Sequence, residues 1–142
     1  MLRDMVWCSM NAMLEEAKQL LLAAERDRTS FWLLMDSGRA PHETMGFLAQ
    51  QACEKSIKAV MVAASIRVER THDVEFLAQL AHQGGVNLPV SVEQLRLLNP
   101  YAVALRYEGL EVEWISMAEA GHLVEVLHQW AVSFINSKDI TN

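Results

Sequence analysis

Residues 44–64 read TMGFLAQQACEKSIKAVMVAA. No proline interrupts the run, and apolar residues cover most of its circumference. A helix of that kind is buried. Polar groups inside a buried helix need partners, and Gln50, Gln51, Glu54, Lys55 and Lys58 pass through its middle. The stretch therefore reads as the central helix of a bundle, with a polar band partway along it. Glu54 and Lys58 stand four apart with the acid first, the better orientation for an intrahelical pair.

The flanks read as further helices. Upstream, Met13, Leu14, Ala17, Leu20, Leu21, Ala24, Arg28 and Phe31 recur at three- and four-residue steps from Asn11 to about Met35. Glu15, Glu16, Lys18, Glu25, Arg26 and Asp27 fill the opposite, solvated face. Residues 1–10 are weakly patterned and read as an extension. Gly38 suits a left-handed helix end, and Pro41 a first helical turn. Downstream, Thr71 or Asp73 caps a short helix through Val74, Phe76, Leu77, Leu80 and Ala81, which Gly84-Gly85 ends. Ser91 and Gln94 form a capping box for a fourth helix, the third long one, which Pro100 kinks or restarts before it ends at Arg106-Tyr107-Glu108-Gly109. Leu110–Trp114 reads as extended loop. Ser116 and Glu119 open a last helix to about Asn136, with residues 137–142 as a frayed tail. The expectation is an all-α fold, an antiparallel up-and-down bundle of four long helices plus one short helix, in a single domain over 1–142.

Composition narrows the function. The chain carries 18 acidic against 12 basic residues, a net charge of −6. That balance argues against broad binding to nucleic acid, which depends on neutralising phosphates. Two cysteines far apart imply no disulfide framework, and no run approaches the roughly 20 apolar residues of a membrane span. A cytoplasmic protein, neither secreted nor membrane-bound, is expected.

No phosphate-loop or dinucleotide glycine motif is present, and no nucleophile elbow or Cys/His signature. Two E-x-x-H matches, Glu119–His122 and Glu125–His128, share one helix on different faces. Carboxylate-bridged metal bundles spread such motifs over two helices, so these read as surface residues, and neither metal nor cofactor is expected. The polar band remains. Lys55 and Lys58 from the central helix, His72 and Asp73 at the next helix start, and Arg106 and Tyr107 at the end of the fourth can converge at one end of a bundle. Lysines, an arginine and a helix N-terminus suit a phosphate group. The alternative is a set of structural ties.

Taken in order, FLAQQACEKSIKAVMVA, THDVEFLAQLA and LNPYAVALRYEG resemble the HEPN family (higher eukaryotes and prokaryotes nucleotide-binding domain). Gln51, Glu54, Lys55, Lys58, His72, Asp73, Arg106 and Tyr107 match its motif positions. The resemblance implies a helical bundle, commonly a homodimer, beside a minimal nucleotidyltransferase and often in a toxin–antitoxin pair. Some members are ribonucleases acting through Arg and His four to six residues apart. Here the next histidine after Arg106 is His122, Glu108 replaces the usual proline, and Arg67–His72 fits the spacing only in a loop. The resemblance therefore implies a non-catalytic bundle that binds a nucleotide or a nucleotidyltransferase. The alternatives are a metal-independent ribonuclease using Arg106 and His72 on RNA, or a purely structural assembly module.

Overall fold

The computed structural model describes residues 2–104 and 115–141, with side chains for residues 10–102 and 115–139. It holds α1 (Leu2–Ser37), α2 (His42–Ala63), α3 (Val74–Gln83), α4 (Val92–Arg96), α5 (Tyr101–Ala104) and α6 (Met117–Thr141). The fold is all-α, an up-and-down helical bundle, and no strand occurs among the described residues.

α2 lies at the centre, packed on α1, α6, α3 and α5. Its small residues Ala49, Ala52, Cys53 and Ala59 are fully buried, which lets neighbouring helices approach, and Ile57, Val60 and Met61 fill the space between them. Phe31 from α1, Leu77 and Ala81 from α3, Tyr101 from α5, and Leu123, Leu127 and Ala131 from α6 complete this core. A smaller cluster of Leu14, Ala17, Ala59, Val62 and Ile135 ties α1 and α6 to the C-terminal half of α2.

The punctuation follows side-chain chemistry. Gly38 takes φ +68°, a left-handed value that costs glycine no Cβ strain, and the chain turns into α2 within four residues. Pro41 sits at the N-cap of α2, one position before the first helical turn, and its carbonyl accepts from Met45 N–H. Asp73 rather than Thr71 caps α3. The Ser91–Gln94 capping box is formed in both directions, and Ser116 Oγ accepts from Glu119 N–H to start α6.

Two boundaries differ from the sequence reading, and the break expected at Pro100 takes the second of its two forms. α1 begins at Leu2, so the weakly patterned start is helical. α6 continues to Thr141, taking in most of the segment read as a tail. Pro100 starts a new segment, leaving α4 and α5 as short separate pieces, because a helix carried through Pro100 would lose a hydrogen bond to the missing N–H. Glycine also shapes the core. Tyr101 lays its ring over Gly46, where any Cβ would overlap it.

Candidate functional site

Positions 50, 54 and 58 of α2 fall four apart and stack on one face. That spacing builds the polar band. Glu54 is its hub, with a side chain only 5% exposed. Its Oε1 accepts from Gln50 Nε2 at 3.1 Å and from His72 Nδ1 at 2.9 Å, and its Oε2 accepts from Lys58 Nζ at 3.0 Å. Gln50 also donates to the His72 carbonyl at 2.8 Å and accepts from Gln51 at 2.7 Å. A buried carboxylate is tolerable only when its lone pairs are filled in this way.

His72 leads into α3. A carboxylate only accepts, so Nδ1 carries the hydrogen directed at Glu54 and, in the neutral ring, Nε2 is left as an acceptor. The side chain is 68% exposed, so that edge of the ring lies at the surface. Asp73 next to it accepts from Phe76 N–H at 3.0 Å and from Asn99 Nδ2 at 2.8 Å, while Asn99 Oδ1 accepts from Val74 N–H. The positive end of α3 is thus already occupied by a carboxylate of the chain itself.

Of the residues matched by sequence, Gln51, Glu54, Lys58, His72 and Asp73 gather where α2 meets the start of α3. Lys55 is drawn the other way, to Asp27 of α1 at 2.6 Å. Asp27 is therefore an interhelical partner and not part of a solvated face. Arg106 and Tyr107, with the helix end they mark and the Leu110–Trp114 loop, lie outside the described residues. Both band lysines meet carboxylates, and Asp73 adds a further negative charge. Among the described residues the band offers a phosphate no surplus positive charge. No group of three or more His, Cys, Asp or Glu among them is placed to hold a metal ion.

A second polar cluster lies between α1 and α6. Arg28 grips Glu125 with two parallel bonds of 2.9 Å, from Nε to Oε1 and from a terminal nitrogen to Oε2. Such forked pairs are among the stronger charged contacts. Trp32 Nε1 donates to Glu125 at 2.6 Å, and Arg28 reaches Glu25 at 3.2 Å. Glu25 in turn meets His128 Nε2 at 2.6 Å. Burial raises the Glu125 carboxyl, but the Arg28 and Trp32 hydrogen bonds overcome it and hold Glu125 below its ordinary value.

This cluster corrects the surface reading of the second E-x-x-H match. Glu119 and His122 are exposed, whereas Glu125 is half-buried and His128 is buried. One signal was present in sequence: Arg28 falls on the apolar stripe of α1, and an inward arginine needs an acidic partner. The partner's identity, 97 residues away, is not visible in either helix alone.

No helix of the described residues is long and apolar enough to cross a membrane. Comparison with curated proteins finds no match, and neither does comparison with solved structures. The model of the HEPN domain matches residues 17–133, from the first half of α1 to the last third of α6, and this span contains the polar band entire. The chain belongs to the HEPN domain family.

Proposed function

We propose that this HEPN bundle is a non-catalytic, single-domain homodimer that works in the cytoplasm by docking a partner protein. A minimal nucleotidyltransferase is the partner class that the family resemblance implies, in a toxin–antitoxin-like pair. One observation carries the reading: Glu54 and Asp27 take up both band lysines, and Asp73 fills the α3 N-terminus. That arrangement disfavours direct capture of a nucleotide phosphate. Around it stand groups suited to a protein surface. The His72 edge is exposed, Phe76 is an exposed large apolar residue, and Arg96 extends from α4 onto Glu75. Aromatic residues and arginine are enriched in protein interfaces. Leu22 and Leu33, also exposed, are three turns apart on one face of α1 and supply an apolar strip for the second copy.

Isothermal titration of the purified protein with a co-encoded nucleotidyltransferase tests the docking. Binding is expected, weakened about tenfold in Phe76→Ser. Sedimentation is expected to show a dimer that Leu22→Ser with Leu33→Ser dissociates. Absence of partner binding, or ATP binding that Lys58→Met abolishes, would refute the reading.

The oriented His72 favours a second reading, a metal-independent ribonuclease. Its Nε2 would take the 2′-hydroxyl proton, with Arg106 stabilising charge on phosphorus. RNA cleavage lost in both His72→Ala and Arg106→Ala would establish it. Intact RNA after long incubation at high protein concentration would reject it.

A further inference from the structure

The seam between α1 and α6 contains a buried nitrogen that no described residue hydrogen-bonds. His128 Nε2 lies 2.6 Å from Glu25 Oε2. The carboxylate only accepts, so Nε2 carries the hydrogen and Nδ1 is the bare nitrogen of the neutral ring. Nδ1 is buried with no hydrogen-bond partner among the described residues, on a side chain only 10% exposed. Any second proton has to land there, and an N–H with no acceptor in a buried site is costly.

The charges facing the ring come from two helices. Glu25 and Arg28 approach from α1, and Glu125 from α6 itself. Lys18 of α1 lines the same cleft and is held by Glu15 and Asp139. On the α2 side of α1, Lys55 is turned to Asp27. Burial lowers the His128 pKa below its ordinary value of 6.5, with Arg28 acting in the same direction. Glu25 and Glu125 oppose them without prevailing. Beside the ring runs a cleft of about 430 Å³ walled by Leu21, Leu22, Val132 and Ile135.

We propose that His128 is a proton sensor for the α1–α6 seam: uptake of one proton from solvent requires the two helices to part far enough to hydrate Nδ1. Parting widens the cleft and uncovers Leu21, Val132 and Ile135 beside Leu22, which is exposed already. The unfolded chain binds this proton more readily than the folded one. Stability from the seam is therefore complete above the unfolded pKa of 6.5 and falls as pH drops from there toward the folded value. Glu25 and Arg28 then lose their fixed geometry, and with them the grip on Glu125.

Nuclear magnetic resonance of histidine- and tryptophan-labelled full-length protein, titrated from about pH 8 to about pH 5, reads both ends of this coupling. The His128 signal is the one missing from His128→Gln, and the Trp32 indole N–H reports the seam through its bond to Glu125. The expected result is a His128 midpoint below 6.5, a Trp32 transition at the same midpoint, and loss of that transition in His128→Gln. A midpoint at or above 6.5, or a Trp32 transition that survives in the variant, overturns the proposal. Glu25→Gln serves if His128→Gln does not fold. It keeps an acceptor but removes the charge favouring imidazolium, so both midpoints move down together. Midpoints that separate, or that stay put, overturn the proposal equally.

Discussion

Glu54→Gln deletes one negative charge and almost no volume from the centre of α2. The amide can still accept from Gln50 and His72, but its NH2 then faces Lys58 Nζ, donor against donor. Lys58 is left without its counter-ion on a side chain only 15% exposed. Hydrogen bonds to charged groups contribute about 1.5–3 kcal/mol each, and removing one member of a buried ion pair costs about 3–5 kcal/mol. His72 is largely exposed and can turn to water, which places the loss at the lower end, about 3 kcal/mol. Urea denaturation of wild type and variant, followed by circular dichroism, measures it as a lowered midpoint with an unchanged slope. Glu54→Gln with Lys58→Met removes the orphaned charge and should regain part of the loss, with an interaction energy of about 1–3 kcal/mol. A loss below about 1 kcal/mol in the single variant, or strict additivity in the double, would refute the claim that Glu54 is a buried hub.

Gly46→Ala gains helix propensity of about 1 kcal/mol, but its methyl group overlaps the buried Tyr101 ring. Overpacking costs about 1–3 kcal/mol, so a lower melting temperature is expected, and a higher one would count against the packing. The Cys53 thiol is fully buried, and burial pushes its pKa up. Peptide mass spectrometry after iodoacetamide treatment should find Cys53 unmodified in native protein and modified in urea. The folded pKa of Glu125 is depressed, so its contribution is full above the unfolded value of 4.5 and lost as pH falls through the folded one. Glu125→Gln should flatten the acid limb of a stability–pH profile below that value, and an unchanged limb would place acid sensitivity elsewhere.

The central helix and its neighbours were legible because hydrophobic period is a local signal. α2, α3 and α6 appear where Ala49–Ala52–Cys53, Val74–Leu77–Ala81 and Leu123–Leu127–Ala131 place their apolar faces. Caps were legible for the same reason, since Asp73 and Ser91 act within three residues of themselves. The band was half legible. The four-residue spacing of Gln50, Glu54 and Lys58 exposes one face in the sequence, but the departure of Lys55 to Asp27 depends on where α1 passes. Asp73 was visible as a cap and also named as part of an anion site, and one carboxylate cannot favour both. The Glu25–Arg28–Glu125–His128 seam was legible only in the inward-facing Arg28, because each helix shows only its own half of the pairings.

The short turn at Gly38 has a kinetic consequence. Among the described residues α1 and α2 make the most extensive helix pairing, and only residues 38–41 separate them. Closing so short a loop costs little chain entropy, and local pairings form fast. The α1–α2 hairpin is thus the natural nucleus, while α6 returns to α1 across more than ninety residues. Folding then ends where acid is proposed to begin unfolding. The seam held by Glu125 and His128 closes last, and mutations there should alter the unfolding rate far more than the folding rate.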